Sequence, residues 1–390
     1  MPLLLSIALL LLWSWSSAQP AGGVSVGVIA SRTGEAAGAG ASQALAAFGW
    51  ARETREAGGV FGVRVDVEVL DDAGSPARAA EQARRLAEGG AWAVVCCTTP
   101  AATAAVSAVA EELGLLHLAL SDPSPLTVST RGSTYWTFTL WPTEVDALSA
   151  AVADALAAGR GSFALMTTDD GYGGAVADAL RSLVGYAGMR LVREERFATG
   201  ATELRPEALL VATSQPGAVA VWASGPDTAT AVSALRARGY EGPVYARPAL
   251  AAPASPRLPA ATYEGVRFPL PPVYVADALP PAYVCRAEVA AATERIAQLY
   301  GGVADVPAAA GVVDALDLVA AAIEQLYLMQ LPPDSSLPVL RQALRDAAVG
   351  LPPRCGAWGQ LDLQEGRTSA VVAGSLVGVE VGPRGALRLP

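Results

Sequence analysis

The sequence predicts an α/β protein: two doubly wound parallel-sheet lobes joined by a multi-strand hinge. Three observations predict it. From Val24 onward, short β-rich runs alternate with helical stretches, the pattern of βαβ units with helices on both faces of a parallel sheet. The alternation comes in two series, each sufficient for a lobe. Proline-rich stretches near 120–125, 248–272 and 331–354 interrupt it, at places where the chain can cross between lobes or decorate them. With 390 residues, 52% of them hydrophobic, the chain can bury two cores.

The first series opens with VSVGVIA (24–30), a strand, and residues 41–57 follow as a helix by composition and spacing. VRVDVEVLDD (63–72) alternates apolar and polar residues as a half-exposed strand does. SPARAAEQARRLAEGG (75–90) begins with Ser-Pro, an N-cap followed by a first-turn proline, and closes on Gly-Gly. AWAVVCC (91–97) is a buried strand. TPAATAAVSAVAEELG (99–114) repeats the device, with Thr99 as cap, Pro100 behind it and Gly114 as stop. LLHLAL (115–120) is the next strand. The second series runs through helix 144–158, strand 162–167, helix 173–183, strand 190–197, helix 205–213, strand 218–222 and helix 227–238. Two long helices, 286–300 and 308–330, come next, and the tail from Gly356 reads as β-hairpins.

A net charge of −10 argues against nucleic acid, which requires a cationic face. All 27 basic residues are arginine. The apolar run from Leu3 to Trp15 is too short to span a bilayer, which takes about 20 residues. Followed by Ser16-Ser17-Ala18, it reads as a signal peptide over 1–18, although it lacks a basic start. Export is expected, to the periplasm or cell exterior, with the mature chain beginning near Gln19. In such an oxidising compartment Cys285 and Cys355 could be bridged. Cys96 and Cys97, adjacent on a strand, point to opposite faces and serve packing.

In open α/β sheets the loops after the strands carry the site. Those loops hold Ser31 and Arg32, then Thr98 and Thr99, then Ser121, Asp122 and Ser124; the second series adds Asp169, Asp170, Tyr172 and Ser224. The single histidine, His117, lies among leucines and reads as a core residue, so no Ser-His-Asp set can be assembled. No metal, cofactor or enzymatic activity is expected. Gly171-Tyr172-Gly173-Gly174 has the opening of a phosphate loop, but Val176 occupies the third glycine position and two aspartates would repel a pyrophosphate. The glycines are instead expected to let the turn project the Tyr172 phenol into a cleft.

TTDDGYGGAVADAL resembles the D-x-x-Y-G segment of type I periplasmic solute-binding proteins, the branched-chain amino-acid (Leu/Ile/Val)-binding family of ABC transporters. Residues 24–95 resemble that family's first third: a Gly-Gly-Val before a strand, an Asp-Asp after it, and Pro-Ala-Arg-Ala-Ala opening the next helix. LSDPSPLT resembles its small-polar segment, and GAWGQLDLQEGR its late hairpin, with Leu361 in place of an aromatic. The resemblance spans the whole mature chain. It implies a first lobe, 19–141 plus about 273–372, and a second, 142–272 plus about 373–390. It implies that Thr98, Thr99, Ser121, Asp122 and Ser124 grip the ligand from the first lobe and that Tyr172 closes over it. The family's second cleft aromatic falls near Ser224, with Trp222 two residues away, and its acidic residue near Ala249. With an alanine there, three alternatives stand: Asp122 replaces the acid from the first lobe, the ligand lacks an ammonium, or Arg32 and Arg247 favour an acidic ligand. The implied function is a monomeric extracytoplasmic solute-binding component that binds a small polar ligand by hinge closure and serves an ABC permease. The alternative is a ligand-sensing protein of the same fold.

Overall fold

The computed structural model describes residues 23–122, 134–252, 259–300, 303–329 and 335–390. The expected signal peptide and Ser124 lie outside the described residues. In chain order the elements are β1 (Val24–Ala30), α1 (Ala37–Glu56), β2 (Val65–Asp71), α2 (Pro76–Glu88), β3 (Ala93–Cys96), α3 (Pro100–Leu113), β4 (Leu116–Ala119) and β5 (Thr137–Thr139). The second series is α4 (Glu144–Ala157), β6 (Ser162–Thr168), α5 (Gly171–Tyr186), β7 (Arg190–Phe197), α6 (Arg205–Thr213), β8 (Ala218–Trp222), α7 (Gly225–Ala237), β9 (Val244–Ala246), α8 (Ala260–Tyr263) and β10 (Val266–Leu270). The chain closes with α9 (Arg286–Tyr300), α10 (Val306–Met329), α11 (Leu337–Val349), β11 (Arg354–Gly356), β12 (Gly359–Leu361), β13 (Val377–Val381) and β14 (Leu387–Arg388).

Two sheets result. The first is wholly parallel, in the order β2-β1-β3-β4-β5. The second runs β14-β13-β10-β9-β8-β6-β7; its five inner-series strands are parallel, while β13 pairs antiparallel with β10 and β14 with β13. The strands alternate their apolar residues between helical layers. On β6, Phe163 and Leu165 pack with α4 and α5, whereas Ala164 and Met166 pack with α6 and α7. On β1, Val24, Val26 and Val28 face α1 and α10, and Ile29 faces α2 and α3. Both faces are covered, which is why these runs are almost uninterruptedly apolar. Gly27 makes room for the Leu86 side chain of α2: a Cβ would lie 2.2 Å from Leu86 Cδ1, so a larger residue would push that leucine aside. α10 is apolar all round because it is enclosed by its own lobe, 78% of its most apolar stretch being buried.

The chain passes between the sheets three times: from β5 to α4, from β10 to α9, and from β12 to β13. Two of these passes run side by side, with Thr139 bridged to Ser369 and backbone bonds joining Thr139 to Thr368 and Ala370. A disulfide joins Cys285, just before α9, to Cys355 on β11.

Several local expectations change. Residues 337–349, in a stretch read as a proline-rich connection, form α11; Pro338 sits in its first turn, where the missing N–H costs nothing. β5 and β9 have three residues each, too few for a periodic signal. β10 lies inside the sheet despite Pro269, opposite Gly378 of β13. Of the tail, β11 pairs antiparallel with β12 and β13 with β14, as the hairpin reading expects, and the second pair extends the second sheet. Cys96 and Cys97 do not diverge: they are bonded to each other across a cis peptide, and both are wholly buried.

Candidate functional site

In the first sheet the strand ends are tied by a polar chain. Ser31 N–H donates to Thr98 Oγ1 at 2.9 Å, and Thr98 donates on to Gln43 Oε1 at 2.6 Å. Ser31 Oγ donates to Asp72 Oδ1 at 2.7 Å. Thr99 caps α3, accepting from Ala102 N–H. Ser121 donates to Cys97 O at 3.2 Å and shares a hydroxyl contact of 2.7 Å with Thr103. Thr98 is therefore a buried tie, while Thr99, Ser121 and Asp122 are half-buried at the rim. Arg32 is exposed, its guanidinium 5.9 Å from the Phe48 ring, and its backbone N–H is held by Asp71.

The second-lobe strand ends converge differently. Asp170 caps α5 by accepting from Gly173 N–H at 2.8 Å, so the helix begins at Gly171 and the Gly-Tyr-Gly-Gly stretch is its first turn. Gly173 permits this: a Cβ there would lie 1.8 Å from Thr168 O. Tyr172 thus emerges from the helix start against the second sheet's strand ends. Its ring lies 5.3 Å from the guanidinium of Arg247, which follows β9. Arg247 Nη2 donates to Glu144 Oε1, and Trp222 Nε1 donates to Glu144 Oε2 at 2.5 Å.

This four-residue cluster is largely dry. Burial pushes the Glu144 carboxyl up, opposed by Arg247, Trp222 and Tyr172. Burial also raises the Tyr172 phenol, with Glu144 adding to the rise and Arg247 opposing it, so the phenol stays neutral. The hydroxyl is turned inward toward Glu144, without a hydrogen bond of full geometry. Arg247 is held charged: burial, the largest single influence, works against the charge, and Glu144, Tyr172 and Asp122 together outweigh it. Asp122 of the first lobe lies within electrostatic reach of both Tyr172 and Arg247, with the smallest of the named influences on each.

The structure therefore brings Tyr172, Trp222, Arg247 and Asp122 into one neighbourhood. Trp222 takes part as a wholly buried anchor for Glu144 rather than as a surface aromatic. Ser224 stands apart, exposed at the start of α7 and donating to Asp227 Oδ2 at 2.6 Å. Ala249 lies in a short 3-10 turn after β9. Sequence reasoning missed Glu144. An acid in the first turn of a helix is ordinary, and its partner Arg247 lies 103 residues away.

His117 is fully buried, with Nδ1 3.1 Å from Thr137 Oγ1 and Nε2 3.3 Å from Cys96 O. A carbonyl can only accept, so Nε2 carries the proton and Nδ1 accepts from the threonine. The histidine is a core strut. Among the described residues no cluster of three or more His, Cys, Asp or Glu is arranged to hold a metal.

The profile of a family described as periplasmic binding protein matches residues 23–359. No protein of curated function matches the chain. Among solved structures, an extracellular ligand-binding receptor from Rhodopseudomonas palustris HaA2 is similar over 95% of this chain and 100% of its own, at 21% identity and a TM-score of 0.66. A putative branched-chain amino acid ABC transporter protein from Rhodospirillum rubrum is similar over 94% and 100%, at 22% identity and 0.68. An ABC transporter substrate-binding protein from Desulfitobacterium hafniense, in complex with Leu, is similar over 94% and 99%, at 18% identity and 0.69. These likenesses establish the shared fold.

Proposed function

Since the chain belongs to the periplasmic binding protein family, we propose that it is the extracytoplasmic solute-binding component of an ABC uptake system. It takes a small polar ligand, an amino acid or a related small amide or carboxylate, between its lobes. The observation that carries the reading is the meeting of Asp122 with Tyr172 and Arg247 across the two sheets' strand ends. That neighbourhood offers donors, acceptors and an aromatic face. Closure then shifts the population toward a state in which both lobes touch the ligand. Ser121 and Thr99 supply the first-lobe hydroxyls. The protein is exported, acts as a monomer and hands its ligand to a membrane permease without covalent chemistry.

A panel of amino acids, small carboxylates, amides and urea, screened by thermal shift on the mature protein, tests this. A true ligand at a hundredfold excess over its dissociation constant adds about 2.7 kcal/mol of stability. Ligand recovered unchanged after incubation supports binding alone; turnover, or no stabilisation by any member of the panel, refutes the reading.

A further inference from the structure

Glu144 and Arg247 expose only 4% and 7% of their side chains. An ion pair this deep loses more hydration than its attraction returns unless further groups satisfy it. The start of α4 does not call for it. Thr143 and Asp146 close a reciprocal capping box by themselves, Thr143 N–H donating to Asp146 at 3.0 Å and Asp146 N–H to Thr143 Oγ1 at 3.2 Å. Glu144 instead receives Trp222 on one oxygen and Arg247 on the other. Residues from α4, β8 and the end of β9 thus converge on one carboxylate. Its effect is to cancel the charge of Arg247 directly against the Tyr172 ring, on which the first lobe's Asp122 also acts electrostatically.

We propose that Glu144 is a specificity-determining residue: by neutralising Arg247 it leaves the second-lobe wall without net charge, so that this wall accepts an uncharged part of the ligand and discriminates against a carboxylate. The proposal rests on the reading of this neighbourhood as the ligand site. Any carboxylate on the ligand is then gripped by the first lobe's hydroxyls and backbone. Removing Glu144 leaves Arg247 with Asp122 as its remaining acidic neighbour and makes it a stronger anion anchor, whereas removing Arg247 lets burial hold Glu144 protonated and creates no new charge.

The test uses three small probes, the isosteric pair acetate and acetamide and the cation methylammonium, titrated by thermal shift against the wild-type protein, Glu144→Gln, Arg247→Met and the double variant Glu144→Met/Arg247→Met. Wild type should not favour acetate over acetamide. Glu144→Gln should shift the acetate-to-acetamide preference by about tenfold toward acetate, the worth of one charge-assisted contact. Arg247→Met, in which burial keeps the Glu144 carboxyl protonated, should gain no preference for acetate or methylammonium, and neither should the double variant. An unchanged preference in Glu144→Gln overturns the proposal. So does the case in which both single variants unfold while the double variant folds and binds as wild type, because the pair is then a strut. Failure of the broader reading looks different: no amino acid, amide or carboxylate of the larger panel binds the wild type, whatever the probes do to the variants.

Discussion

Tyr172 shows what a single side chain contributes. Its ring covers Arg247 and its hydroxyl is buried toward Glu144, so under the proposed function the surface it offers to a ligand is aromatic rather than hydrogen-bonding. Tyr172→Ala should therefore weaken ligand binding by about tenfold or more, as loss of an aromatic anchor does. Tyr172→Phe should keep affinity and leave stability within about 1 kcal/mol of wild type, since the hydroxyl satisfies no strong partner. Calorimetric titration with a panel hit, alongside urea unfolding, checks both; a Phe variant as weak as the Ala variant contradicts the inward-facing hydroxyl. The position of Tyr172 was legible because glycines and an acid cap mark a helix start after a strand. The direction of its hydroxyl was not, because that depends on Glu144 and Arg247, which are remote in sequence. Thr98 shows the converse: a hydroxyl after a strand looks available, yet Ser31 and Gln43 engage it.

At the level of elements, the long runs were readable and the short ones were not. β1, α2, α3, β6 and β8 announce themselves through caps and apolar periodicity. β5 and β9 cannot, and β10 carries a proline that argues against an inner strand. α11 was hidden by flanking prolines, yet it organises its neighbours. Its buried Arg341 donates to Ala91 O at 2.8 Å, to Leu113 O at 3.2 Å and to Ala87 O at 2.7 Å, satisfying carbonyls at the ends of α2 and α3. A helix leaves its last carbonyls without internal partners, so one guanidinium here closes two helices at once. Arg341→Met should cost about 2 kcal/mol, from the lost hydrogen bonds to Ala91 O and Leu113 O, since Ala87 O keeps the Gly90 N–H. Chemical unfolding measures it; a change under about 0.5 kcal/mol, typical of surface sites, would show that water replaces the guanidinium.

For the whole molecule, the two-lobe plan was legible in the double βα series, whereas the expectation that about 373–390 joins the second lobe came from the family resemblance and not from the residues themselves; β13 and β14 lie in the second sheet. The tail's first hairpin is fixed instead to the first lobe. Asp314 of α10 accepts from Ala357 N–H at 3.0 Å and Trp358 N–H at 2.8 Å, and the Cys285–Cys355 disulfide closes a 70-residue separation beside it. Opening that loop by Cys285→Ser with Cys355→Ser should lower stability by about 4 kcal/mol on loop entropy, read as a drop in Tm. Two buried groups set opposing pH responses. Burial pushes Asp314 from 3.8 to about 7, against the two N–H donors. Between these values the folded chain keeps a proton that the unfolded chain has released, so this contribution grows as pH falls from 7. Burial pulls His117 from 6.5 to about 4, so over that window the unfolded chain takes a proton the folded chain refuses, and stability falls with pH. The two nearly offset each other in the shared range. Asp314→Asn should steepen the acid loss of Tm between about pH 6.5 and 4, and His117→Gln should lessen it. Identical profiles for both variants and wild type would refute the assignment. A last consequence follows from strand order. β1 belongs to one sheet and β14 to the other, so the two ends of the described chain ride on opposite lobes. Fluorescent donor and acceptor proteins fused at those ends would turn lobe movement into a change in energy transfer, a solute biosensor with no dye attached near the cleft.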